Sequence, residues 1–375
     1  MVGTYLSSSN QRNYSLTEQG ELPQEIFSRT EGDKYSLIGE AIYERPLFGG
    51  KFTAGIKHHY ARMDNVYDGN VFTEVSMNTA ETSLFTEYQS KIKKLSYTLG
   101  LGVMRTNYKQ GDAMQEKYIF RPTLNLSYPL GNLYLRYNAS LSGYAPSLSV
   151  LSDVEQNMDV YQVHRGNPEL KSVTYFTNRL SVGFRRNWIN MEVSARYRYE
   201  DNPIMEETFY EEGKFIRTYA NQRGFHRLNL RADFQFQPFK QYLSINLNPY
   251  FNRYISQGYD YVHTHSNWGF NGSIVGMYKH WVVMAEIHTS FHELFGETIQ
   301  KSESFHSVAL GYNKKRWALQ AMVMNPFSKD YRQGKENLSE LAPNRQKAYT
   351  SDLSPVFVLN VSFRLDFGKQ KQIMK

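Results

Sequence analysis

Several things are missing from this chain, and each absence narrows what it can be. Among 375 residues there is no cysteine, which excludes a disulfide framework and thiolate metal sites. No apolar run approaches the ~20 residues that a membrane-spanning helix needs; the longest, such as residues 281–285, are a fraction of that. The opening MVGTYLSSSN has no basic region followed by an apolar core, so no signal peptide is visible. For an exported protein that predicts a mature form or a fragment, with a fragment favoured. The formal charge is +7, with basic residues spread along the whole chain. A clustered basic face, the footprint of nucleic-acid binding, is missing, and anionic lipid headgroups suit the excess better.

What the chain has in abundance is aromatic residues: 29 Tyr and 23 Phe, against a polar mean hydropathy of −0.58. Both hold at once if half of each strand faces oil and half faces water. The run FVLNVSFRLDF at 357–367 has that form. Its odd positions are all apolar and its even positions nearly all polar, which puts one greasy and one wet face on a strand. The same pattern recurs at 2–9, 35–45, 52–62, 82–92, 95–106, 118–128, 133–143, 175–184, 189–199, 228–236, 243–251, 268–278, 281–291, 305–312 and 317–323. Short turns alternate with long polar segments between these runs. Segment 64–80 reads as polar and turn-rich, segment 201–223 as a connection with its own hairpin around EEGK, and Pro122 as a bulge or weak point, because proline cannot donate to a ladder.

Alternation also occurs in soluble sandwiches, but strands there average ~5–6 residues. A tilted strand crossing a bilayer needs about 9–11, and these runs approach that. The fold expected is therefore all-β: a transmembrane antiparallel up-and-down β-barrel of about sixteen strands, both chain ends on the periplasmic side. Tyr128, Trp188, Tyr242, Tyr278, Trp281, Tyr312 and Trp317 sit beside short turns, where an aromatic girdle belongs.

Short motifs make the expectation more specific. Segment 144–172 contains Pro146-Ser147, Leu151-Ser152 and Gly166-Asn167-Pro168-Glu169-Leu170. Asn325-Pro326-Phe327 leaves a strand for the last long loop, and Phe367-Gly368-Lys369 follows the final run. In these the chain resembles the barrel of TonB-dependent outer-membrane receptors, and the ending resembles the C-terminal signal strand by which the barrel assembly machinery recognises such proteins. The resemblance implies a barrel of about twenty-two strands around an N-terminal plug, with the plug's leading segment engaging TonB. Residues 1–375 then form one barrel domain, the C-terminal part of such a receptor, with the plug and the first strands absent. It also implies the outer membrane of a Gram-negative bacterium, lipid contact, and in some cases a surface lipoprotein partner. No cofactor and no nucleic acid are implied.

Candidate chemistry is sparse. Arg121, Arg136, Arg196, Arg198, Arg227, Arg231 and Arg364 fall on the wet face, where they could meet a plug or an anionic solute. Alternatively they pair with Glu192, Asp233 and Asp366 and stiffen the wall. His263 and His265 form an HxH read as a solvated loop, His288 and His292 share a face with Glu286, and His58 and His59 point to opposite faces. No complete ligand set emerges, so no metal is expected. With no nucleophile elbow or paired spacing, an enzyme is not expected either. The functional expectation is uptake of a scarce solute; the alternative is a stand-alone diffusion porin of about sixteen strands. A plug encoded in frame upstream would favour the first, and a signal peptide directly before Val2 the second.

Overall fold

The alternating runs become one meandering antiparallel sheet. In the computed structural model, which describes residues 1–16, 24–69, 72–110, 113–152, 154–329, 331–351 and 354–365, each wall strand pairs with the next in sequence. These are β1 (Val2–Leu16), β2 (Gln24–Leu47), β3 (Gly50–Gly69), β4 (Thr73–Ile92), β5 (Leu95–Gln110), β6 (broken into Ala113–Phe120 and Thr123–Leu130), β7 (Leu133–Tyr144) and β8 (Val173–Arg186). They continue as β9 (Ile189–Asp201), β10 (Gly224–Phe236), β11 (Leu243–Gln257), β12 (Val262–Tyr278), β13 (Trp281–His288), β14 (Phe305–Lys314), β15 (Trp317–Met324) and β16 (Val356–Phe363). The sheet has 17 hydrogen-bonded strands, but both halves of β6 pair with β5, so the wall has sixteen positions, as expected. Among the described residues no ladder joins β1 to β16.

Register explains where the greasy faces go. Directly opposed pairs include Leu84 with Val103, Leu135 with Val182, Val182 with Val193, Val283 with Leu310 and Ala321 with Leu359. The large side chains among them are exposed, Leu359 at 69% and Phe357 at 80%. An apolar band running from strand to strand would be an aggregation hazard in water; facing hydrocarbon, it is what a barrel wall requires. The oily faces are not stacked between layers. Among the described residues no helix is long and apolar enough to cross a membrane.

Tight reversals close the short-turn end. Lys93, Lys279 and Lys315 adopt left-handed φ of 52°, 55° and 46°, the twist that two-residue hairpin loops need. Pro122 does mark a break. The ladder bridges it through the Arg121 amide on the Gly102 carbonyl (2.7 Å) and the Leu141 amide on the Pro122 carbonyl (3.1 Å). The EEGK hairpin is present as Ile204–Glu211 and Lys214–Asn221.

Three expectations need correction. The segment 64–80 is mostly strand, because β3 runs to Gly69 and β4 starts at Thr73; polar residues on both faces keep a ladder once it stands in water. The last long loop holds another hairpin, Tyr331–Asn337 with Asn344–Thr350. Val2 lies opposite Ile38, well short of the turn after Leu47 rather than level with it. The ending at 366–369 lies outside the described residues.

The buried apolar side chains gather at the long-loop end in two clusters. Met77, Tyr108, Leu151 and Leu170 hold segment 144–172 against the long hairpins β3–β5. Met205, Phe225, Tyr254, Leu294 and Ile299 hold the later loops against β10 and β11.

Candidate functional site: an arginine-lined wall beneath a loop cap

Strand parity puts the arginines of β7–β10 on the face opposite the apolar band. Arg179 is the register partner of Arg196, and Arg198 of Arg227. Carboxylates share the same face. Glu192 takes Arg136 at 3.6 Å and Arg179 at 3.1 Å. Arg231 meets Asp233 at 2.7 Å and Arg198 meets Glu200 at 2.8 Å. The pairing expected with Glu192 and Asp233 is thus found, while Asp366 lies outside the described residues. Arg196 has no carboxylate within ion-pair distance among the described residues, and its neighbours Arg179, Arg198 and Arg227 carry the same charge. Arg121, at the break in β6, donates from Nε to Ser142 Oγ at 2.9 Å. Arg364 departs from expectation. β16 ends at Phe363, so Arg364 sits beyond the strand at the short-turn end, its amide on the Arg316 carbonyl at 2.9 Å.

Above the arginines the loops fold inward as two small sheets. One combines Gln156–Asn157, Gln162–His164, Lys214–Asn221 and Ile204–Glu211; the other combines His292–Phe295, Thr298–Lys301, Tyr331–Asn337 and Asn344–Thr350. Met205 from the first and Leu294 from the second are fully buried against Tyr254. Burying such side chains stabilises the cap by about 1.5–3 kcal/mol each. Arg227 Nη1 reaches up to Glu293 at 2.8 Å, which ties wall to cap by charge as well. Arg227 belongs to the wall set read from the sequence; its partner in the cap does not.

The histidines sit in this junction. His263 and His265 lie on β12, not in a loop, since the ladder with β11 continues to Gln257–Val262. The outward neighbours Thr264 and Ser266 are polar, so the apolar band stops at Trp268 and both imidazoles stand above it. His263 Nε2 is 3.5 Å from Glu297. His265 stacks on His292 of the cap, ring centroids 5.6 Å apart and planes at 21°. Burial holds both of these imidazoles below their ordinary value, helped at His265 by Lys301 and at His292 by His265 and then Lys301. Tyr261, packed on His263, is pushed up to about 12 by burial. His292 has left the face of Glu286 and His288, because the strand ends at His288 and the chain turns into the cap. His58 and His59 do point to opposite faces, His58 Nδ1 toward Thr82 and His59 toward Glu81. Among the described residues no group of three or more His, Asp or Glu side chains could hold a metal ion.

The sequence reading missed Arg179, Glu200 and Glu293. Arg179 shares the parity of the wall set and could have been found by the same alternation. Glu293 carried no signal, because its role depends on a loop folding back onto β10.

The motif of segment 144–172 also acquires a reason. The Gly166 amide donates to the Ser152 carbonyl and the Asn167 amide to the Val150 carbonyl, both at 2.7 Å, while Asn167 Nδ2 donates to the Tyr219 carbonyl at 2.9 Å. A Cβ on Gly166 would meet Ser152 O at 2.4 Å. Pro146-Ser147, Leu151-Ser152 and Gly-Asn-Pro-x-Leu form a single backbone clasp.

Comparison with known proteins agrees with this architecture. The copper transporter OprC superposes with a TM-score of 0.72 at 11% identity, over 96% of this chain and 61% of that one. The hemophore receptor HasR of Serratia marcescens gives 0.64 at 12% identity, over 87% of this chain and 59% of that one. The siderophore receptor PirA of Pseudomonas aeruginosa gives 0.52 at 12% identity, over 96% and 71%. The chain therefore spans about 61% of the length of OprC. No curated protein sequence matches the chain. Residues 3–364 match the outer membrane protein beta-barrel family, and the chain belongs to that family.

Proposed function

We propose that this chain forms the wall of a TonB-dependent receptor that takes up a scarce solute across the outer membrane of a Gram-negative bacterium. The single barrel domain, residues 1–375, would work with a plug and further strands supplied outside it, and through the plug with TonB. The cap carries this reading. Loops that fold inward and lock onto the wall through Met205, Leu294 and the Arg227–Glu293 pair obstruct free diffusion, which a porin requires. The names of the structural neighbours, a copper transporter, a siderophore receptor and a hemophore receptor, point the same way. They share only the fold with this chain at that identity, so the solute stays open.

On this reading Arg121, Arg136, Arg196, Arg198 and Arg231 face the plug or the passing solute. Arg196 is the strongest contact, since no carboxylate neutralises it; Arg364 is the weakest, since it lies past its strand. An adjacent surface lipoprotein would serve glycan or peptide capture, and the barrel assembly machinery would insert the wall through its last strand.

The test is epistasis in the native host. Compounds depleted from a complex medium are compared between wild type, a strain without this gene and a strain without TonB. Loss of the same compounds from the depletion profile in both mutants supports the receptor. Depletion that survives loss of TonB points to the diffusion porin instead.

A further inference from the structure

A second inward-facing feature lies away from the arginine wall, on the long hairpins. A cavity of about 430 Å³ opens between the inner face of β2–β6 and segment 144–172. That volume falls within the range of small-molecule sites. It exists because the clasp holds the segment at a fixed distance, while the opposing wall carries the small side chains Ala61, Thr79 and Thr106.

The charge of the cavity is one-sided. Lys34 from β2, Lys117 from β6 and Lys171 from the segment all border it. Lys117 Nζ donates to the Ser172 carbonyl at 2.8 Å, a neutral acceptor that leaves its charge uncancelled. Lys34 and Lys171 form no ion pair with any described residue. Two carboxylates border the same space. Glu116 is already held by Arg105, Nε at 3.0 Å and Nη2 at 2.9 Å. Glu81 stands opposite His59, with Nδ1 and the carboxylate oxygen 4.0 Å apart. Three lysines from three separate elements thus border one space beside a carboxylate, Glu81, that faces only His59, and the Met77–Tyr108–Leu151–Leu170 cluster fixes the segment carrying Lys171 against β4 and β5. Ammonium groups are compact point charges suited to oxyanions. Three of them bordering one cavity favour a ligand that can meet more than one.

We propose that this cavity binds a compact solute bearing two or more carboxylate or phosphate groups. The site needs only the folded wall and not energised uptake, so its failure and that of the receptor reading are separate results.

The test is titration calorimetry on the full chain folded in detergent, at low salt, with citrate in one arm and pyrophosphate in the other. Saturable binding of at least one anion at one per chain is expected, and the stronger arm separates polycarboxylate from phosphate chemistry. Combining Lys34→Gln with Lys171→Gln should weaken binding at least tenfold, and Lys240→Gln, in the short turn between β10 and β11, should leave it unchanged. Glu81→Gln, which removes the opposing carboxylate and no positive charge, should tighten it, so the proposal stays testable even if the double variant fails to fold. Wild type that binds neither anion, or binding that Glu81→Gln leaves untouched, would overturn it.

Discussion

Strands β2–β5 and strands β13–β16 cross the same apolar band, yet they end in opposite ways. The first group has 24, 20, 20 and 16 residues and the second 8, 10, 8 and 8. In the first group the ladder simply continues past the band, and the loops are the strands themselves. In the second it stops, and the loops become a separate sheet. The difference lies in what interrupts the backbone. Between Pro46 and Pro122 there is no proline, and cross-strand polar partners such as Tyr60 with Asn78 and His58 with Thr82 sustain the pairing in water. At the end of β15, Asn325 turns left-handed at φ 51° and its Oδ1 takes the His306 amide, with Pro326 immediately after. At the end of β13 the Thr289 hydroxyl takes the Phe270 amide. A wall strand ends where a residue diverts its amides, and the oily residues running out is not enough to end it.

If the two groups support their loops independently, their anchors should fail independently. Leu151→Ala should destabilise the 144–172 segment by about 2–5 kcal/mol, read as accelerated hydrogen exchange there, and Leu294→Ala should do the same for the His292–Lys301 hairpin. Should either substitution loosen both regions equally, the two clusters form one unit and the contrast is lost. The shared band gives the next effect. Leu359→Arg should cost about 2–4 kcal/mol in urea titrations from phospholipid vesicles, whereas Asn360→Arg, on the wet face, should cost little. Equal costs would mean that β16 does not face lipid.

Gly166→Ala should cost about 1–3 kcal/mol, because its Cβ collides with the Ser152 and Val150 carbonyls. Proteolysis should then open segment 144–172 and spare the other cap. The smallest effect is the most selective. Burial lowers the folded-state affinity of His265 and His292 for protons. Their contribution to cap docking is therefore complete above the ordinary imidazole value of about 6.5 and is lost as pH falls from there through the folded value. Cleavage within the His292–Lys301 hairpin should rise between pH 7.5 and 5.5, and replacing both His265 and His292 by Phe should abolish that rise while the long hairpins β2–β5 stay indifferent. Deeper acidification removes a further clamp. Glu336 is lowered to about 2 by its hydrogen bonds to Arg345 and Lys301, so the stability it lends is present above the ordinary carboxylate value and lost as pH approaches 2.

Alternation made the wall legible. Residues 189–199 or 357–363 name their own faces, and the register follows from the short turns between them. That Arg136, Arg196, Arg198 and Arg231 share the face opposite the apolar band was legible by the same parity, since a period of two needs no knowledge of the rest of the molecule. The cap was not. Met205, Leu294 and Glu293 sit in polar segments with no period, and what they touch is decided by loops meeting across tens of residues. Arg364 departs for a local reason: alternation continues in the sequence past Phe363, where β16 ends, although the Arg364 amide still reaches the Arg316 carbonyl. The HxH misled because a polar sequence was read as a loop, the same misreading that shortened β3 and β4.

The reversals at Lys93, Lys279 and Lys315 hold lysine in a backbone shape that disfavours any residue with a Cβ by about 1–2 kcal/mol. Glycine or asparagine would relieve that strain and forfeit the cation. Held at the tips of two-residue turns, these three ammonium groups stand just past the apolar band, at the depth where anionic headgroups would meet them. The strain in each hinge thus keeps a cation where the wall meets its lipid, a moored contact where a flexible loop would leave a wandering one.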